Sequence, residues 1–342
     1  MTVAEQNPST TPRWWLRRTL GGLGIAIRSI LWSLVLAWGA LAIYFSNLPW
    51  LWMRLVLDVV FIAFGIWALH IAHTRRSFLA FAAVFAGLLL WWATIRPSLD
   101  RHWRREVAVM PRAFIDGDRV RLTGVRNFDY RSRDDFTARY EEREVSLSHL
   151  TAVDFYVSYW MPGPVGHTFV SFVFDDAPPV SISIEARPEV GEGYAPVASL
   201  FKQFELIYVV GDERDLVRVR TNYRKEDVYL YRTAISSGNT RRLFRVYLER
   251  INALADRAEF YHLLSNSCTI NIVRYAQTLG APNGFDIRHY LNGLFDAYLY
   301  ETGAIASNLP FDELRRRSRI NETAQAAQDA PDFSERIRAS LP

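Results

Sequence analysis

Charged positions are spread unevenly along the chain. From Ser29 to Met53, from Val59 to Thr74 and from Ser77 to Ile95 there is no Asp, Glu, Lys or Arg. Uncharged apolar runs of about 20 residues are long enough to cross a bilayer as helices. The pattern predicts three spans, near Leu23–Phe45, Trp50–Ala72 and Ser77–Ile95. Trp50, Trp52, Trp91 and Trp92 stand at their ends, where amphipathic rings suit the headgroup level. The first run is too long for a cleaved leader, and a second follows within a few residues.

After residue 96 the pattern shortens and alternates. Val120–Val125, the run after His167, Val180–Ala186, Leu206–Val210, Leu216–Arg220 and Tyr229–Tyr231 read as strands, being rich in β-branched and aromatic residues. Ala198–Glu205 reads as a short helix, and Thr240–Leu264 as a longer one with Leu243, Tyr247, Leu248, Ile251 and Leu254 on one face. A helix bearing Cys268 follows, with Ile272, Val273 and Ala276 expected to face inward, and then another over Arg288–Thr302. Such a set predicts an α+β domain with a mostly antiparallel sheet. The expected division is a tail over 1–22, spans over 23–95, a globular domain over 96–310 and a charged, loosely held tail over 311–342.

Composition adds little beyond this split. Half of the 342 residues are hydrophobic, 11 are Trp, and the net charge is only +4. Arg13, Arg17, Arg18, Arg28, Arg75 and Arg76 on one side of the spans face Arg54, Arg96, Arg101, Arg104 and Arg105 on the other, which decides no orientation. No repeat, glycine-rich phosphate loop or Cys/His cluster is present, so no cofactor, metal or nucleic acid is expected.

The chemistry centres on the single cysteine, Cys268. Ser267 before it is suited to an N-cap and Gly280 beyond it to a C-cap, which sets the thiol in a helix's first turn. There the macrodipole and unpaired N–H groups favour the thiolate, a nucleophile. The partner imidazole is His167, where the turn Gly163-Pro164 feeds a strand. Asp175-Asp176-Ala177-Pro178-Pro179 makes the next connection a hairpin turn. A hairpin folded about Asp176 sets Glu185 opposite His167, where a carboxylate would orient the ring. A register slip would pass that role to Glu189. His262 is the competing imidazole, with a structural role expected because it sits among Phe260, Tyr261 and Leu263.

A strand with His, a strand with Glu and then a Cys opening a helix is the order of circularly permuted papain-like (NlpC-type) thiol enzymes. The segments Asn127–Arg131, Asp154–Trp160, Phe204–Val210 and Asn266–Thr269, with the stretch around His167, resemble the Lnb-type N-terminal periplasmic domain. The resemblance covers about residues 100–280, and Ser267 departs from its pattern, standing where Asn is expected. It implies a domain in the periplasm, an N-terminus in the cytoplasm and an inner (cytoplasmic) membrane location. It also implies that Cys268 takes a fatty acyl group from a phospholipid as a thioester and passes it to the N-terminal amine of a membrane lipoprotein. A cell-wall amidase or endopeptidase, a phospholipase and a non-enzymatic interaction module are the alternatives.

Overall fold

The fold is described from a computed structural model covering residues 13–339 and 341. The chain divides into two compact units, Met1–Arg96 and Pro97–Pro342. In the first, helix α1 (Arg13–Tyr44), α2 (Leu51–Ile66, continued by a π-helical turn Trp67–Ile71) and α3 (Arg75–Thr94) follow one another. The part of the expected N-terminal tail up to residue 12 lies outside the described residues, and the remainder is helical. Gly22–Tyr44, Leu51–Ile71 and Arg75–Thr94 are each long and apolar enough to cross a membrane. Leu36, Phe61, Phe81 and Leu88 pack between them. Glycines permit the approach: a Cβ on Gly39 would meet the Phe61 ring at 2.5 Å, and one on Gly65 would meet Leu36 at 2.1 Å.

The second unit is built on an eight-stranded sheet. Its strands are β1 (Arg112–Asp116), β2 (Arg119–Arg126), β5 (Tyr140–Ser146), β6 (Leu150–Tyr159), β7 (His167–Phe174), β8 (Val180–Arg187), β9 (Glu205–Gly211) and β10 (Asp227–Arg232). The two-residue strands β3 (Asp129–Tyr130) and β4 (Phe136–Thr137) pair separately. The main order is β1-β2-β9-β8-β7-β6-β10, with β5 also on β2. Every pair is antiparallel except β2 with β9, which meet in parallel at Arg126 and Gly211.

Alternation along the strands gives the sheet two different faces. Phe172 packs on Phe244 at 4.6 Å and on Tyr247 at 5.4 Å, so one face is covered by α5 (Ser237–Asp256). Helix α6 (Cys268–Thr278) joins it there through Thr168 and Thr269, whose hydroxyls are 2.8 Å apart. The opposite face carries Tyr156 stacked on Phe169 at 4.5 Å. It is covered by α4 (Glu213–Arg218) and by the C-terminal residues Ile320, Ala324, Ala327, Phe333 and Ile337.

Five sequence expectations differ from the structure. Leu216–Arg220 is no strand: Asp212 caps a helix by accepting from the Arg214 N–H, and a π-helical turn Val219–Arg224 continues it. The long helix stops at Asp256, and Arg288–Thr302 is broken into two short turns before α7 (Phe295–Glu301). The inward stripe of α6 is Cys268, Asn271 and Tyr275, not Ile272, Val273 and Ala276, because Tyr275 bonds Tyr208 and packs edge-on against Tyr247. Finally, 311–342 is no loose tail. It forms α8 (Phe311–Ser318), α9 (Asn321–Ala326) and α10 (Phe333–Arg336), and Arg338 binds buried Glu213 and Asp154 at 2.6 and 2.7 Å.

Phe333 is fully buried, and truncating such a ring costs about 3–5 kcal/mol. Phe333→Ala should therefore destabilise the globular unit by that amount in urea unfolding of the detergent-solubilised chain. A loss below about 1 kcal/mol would mean that this segment is only loosely attached.

Candidate active site

Cys268 and His167 stand at the end of the sheet. His167 is the first residue of β7 and Cys268 the first of α6, which is how side chains from opposite sides of one sheet reach each other. Gly166 leads into β7 where a Cβ would lie 3.0 Å from the Ser158 carbonyl, so a side chain there would crowd the neighbouring strand. Ser267 holds the N-cap position with extended backbone, but its side chain makes no cap bond. Its carbonyl instead accepts from the Asn271 N–H and side-chain amide. Gly280 beyond the helix has φ of 94°, the left-handed turn that ends helices cheaply only at glycine.

The thiol is buried, and burial pushes its pKa up. The charge of His167 opposes this most strongly, aided by hydrogen bonding from His167 and Thr168, and the result is a fall from 9 to about 6. Thr269 Oγ1 and Asn292 Nδ2 each lie 3.7 Å from the sulfur. Asn292 is fixed in turn by the Gly166 N–H, which its Oδ1 accepts at 2.9 Å. Tyr194 and Tyr261 are also within electrostatic reach of the thiol, and partial desolvation of the first and burial of the second raise both phenol pKa values.

The hairpin register is the one that sets position 185 against position 167: Phe169 pairs with Ser183 and Ser171 with Ser181. Glu185 nevertheless does not bond the ring directly. Its Oε1 is 3.8 Å from His167 Nε2, and Ser183 stands between them, 2.7 Å from each. Burial would raise the Glu185 pKa, but Arg220 and then His167 bring it down to about 2. Arg220 Nη2 donates to the same oxygen at 2.8 Å, and its guanidinium lies 4.8 Å from the centre of the Phe169 ring.

This arrangement fixes a proton. An ionised carboxylate only accepts, and a serine hydroxyl has one proton to donate. Ser183 donates it to Glu185, so its oxygen must accept from Nε2–H of His167. The other ring nitrogen, Nδ1, is then the basic one, free to take the thiol proton.

Ser183, Arg220 and Asn292 were not singled out from the sequence. Ser183 alone carried a signal, lying two residues before Glu185 on the same strand face and hence diagonal to His167. Glu189 is engaged elsewhere, paired with Arg101 at 2.8 Å. His262 braces its own loop through Nδ1, which lies 3.0 Å from the Ser265 hydroxyl. Among the described residues the candidate metal cluster is His149 with Asp175 and Asp176, all exposed.

Removing the imidazole leaves burial as the dominant influence on the thiol. In wild type the alkylation rate of Cys268 should rise through a midpoint near pH 6, and in His167→Ala the midpoint should move above the ordinary value of 9. Ser183→Ala frees the ring to change tautomer and should lower turnover on the order of 10²–10³-fold. Stopped-flow alkylation against pH reads the first, and an unshifted midpoint would separate His167 from the thiol.

Residues 136–297 match the family described as Lnb N-terminal periplasmic domain. No match was found among curated proteins or among solved structures. The matched region runs from β4 to α7 and contains Cys268, His167, Ser183, Glu185, Arg220 and Asn292. With three apolar helices ahead of it, this is a membrane protein that carries a periplasmic domain of the Lnb family.

Proposed function

We propose that the chain is a membrane-anchored thiol acyltransferase. It moves a fatty acyl group through a Cys268 thioester from a phospholipid to the N-terminal amine of a lipoprotein. The observation that carries the reading is a buried thiol with its pKa lowered to about 6 beside an imidazole. In this reading the fold is a permuted papain-like one, with the nucleophile's helix following the strands of His167 and Glu185. The protein is multi-pass in the inner (cytoplasmic) membrane, with its N-terminus in the cytoplasm and this domain in the periplasm.

The Cys268 thiolate attacks the ester carbonyl of the lipid. A C–S bond forms, the ester C–O bond breaks, and the lysolipid oxygen leaves with the proton held on Nδ1 of His167. The acceptor amine then attacks the thioester: a C–N bond forms, the C–S bond breaks, and Nδ1 takes the surplus amine proton. Charge on the carbonyl oxygen in each step is met by the Cys268 backbone N–H at the helix start and by Asn292 Nδ2. Ser183 and Glu185 keep Nε2 protonated throughout.

The test is mass spectrometry of the detergent-solubilised protein incubated with phospholipid. A fatty-acyl adduct on Cys268 is expected, lost in Cys268→Ser and His167→Ala at normal expression. Glu185→Gln should slow adduct formation while staying above the Cys268→Ser background. Adding an amine-terminated lipopeptide should transfer the acyl group to nitrogen. Free fatty acid in its place would identify a hydrolase, and a wild-type protein that never acquires the adduct would refute the thioester.

A further inference from the structure

We propose that the loops around Cys268 form an apolar docking surface that enters the lipid leaflet, so that the site opens directly into the membrane. This deepens the acyltransfer reading and rests on it for the identity of the molecule that enters. The surface itself stands on exposure and placement. Among the described residues of the globular unit, every exposed large apolar side chain except Val109, Phe114 and Ile115 lies on four loops.

Each of those loops is tied to the thiol or to its partners. The loop before β7 exposes Trp160 to 43% and Met161 to 57% and runs straight into His167. It is bound through the Pro164 carbonyl to the Gly293 N–H at 2.9 Å, next to Asn292, which reaches the sulfur. That second loop exposes Phe285 to 80%. The third, just before Cys268, exposes Leu264 to 52%, and its Leu263 N–H donates to the Ser199 carbonyl of the fourth. The fourth exposes Tyr194 and Val197, each to 47%, and Tyr194 lies within electrostatic reach of the thiol. The apolar groups therefore ring one spot.

Three features identify a bilayer as what covers them. The last apolar helix ends at Thr94 and the globular unit begins at Pro97, so the covalent link keeps lipid within reach of this domain. Trp160–Gly166 and Leu263–Ser267 carry no charged residue, which lowers the cost of leaving water. Trp, Tyr, Phe, Leu and Met together are the side chains that seat surface elements at the headgroup boundary.

The test needs no chemistry. In the Cys268→Ser background, Phe285→Cys, Leu264→Cys and a control Arg133→Cys on the exposed turn between β3 and β4 are spin-labelled in the full chain, in phosphatidylcholine nanodiscs. The ratio of oxygen to nickel-chelate collision rates should be about tenfold higher at 285 and 264 than at 133. Equal ratios at the three sites would overturn the proposal. So would dipolar broadening that appears only with two chains per disc, which would assign the surface to a second copy. Because the labelled chains lack the thiol, lipid immersion without any wild-type acyl adduct retains the surface and removes the acyltransfer reading. An adduct without immersion does the reverse.

Discussion

A buried guanidinium that holds one carboxylate ionised sets the proton count behind Cys268. Arg220 keeps Glu185 charged, Glu185 takes the single proton of Ser183, and Ser183 can then only accept from His167. The single proton of Ser183 is committed to Glu185, so the direction of each bond follows from its neighbour. Buried ion pairs add little net stability, because desolvation offsets their attraction, yet removing one partner leaves a charge that costs about 3–5 kcal/mol. The pair thus serves arrangement more than strength. Stacking restricts the same side chains: the rings of His167 and Phe169 lie 6.0 Å apart, with Arg220 over the second.

What the sequence made legible was long-range where a turn was unambiguous. Two aspartates and two prolines between β-branched runs fix one hairpin register, and from that register the facing of His167 and Glu185 follows. Ser183 escaped because a small polar residue in a strand has no periodic signature. Arg220 escaped because the run from Leu216, too short to separate period 2 from period 3.6, looked like a strand. Asn292 lies on a turn whose position depends on packing against Pro164 and Tyr159, contacts more than a hundred residues apart in sequence.

Polar content misled twice in the same way. Asn271 and Tyr275 define the buried side of α6, and apolar Ile272 and Val273 lie only half-buried beside them. In the last thirty residues, arginines suggested a solvated tail, yet Arg338 neutralises Asp154 and Glu213, both fully buried. In each case hydrogen-bonding partners elsewhere in the chain make a polar group inexpensive to bury. Such partners are invisible to any local pattern.

The C-terminal helices cover the sheet face that carries Tyr156, Phe169 and His167, and they follow β7 by some 150 residues. Contacts of that span form late, because loop closure must come before the packing that rewards it. The face that carries Tyr156 and Phe169 is therefore covered only once contacts of long sequence separation have formed. The thiol's depressed pKa depends on His167, far earlier in the chain, so the sulfur is activated only by folding that brings β7 and α6 together. Reactivity at this sulfur is thus a tertiary property: until β7 and α6 meet, it is an ordinary thiol.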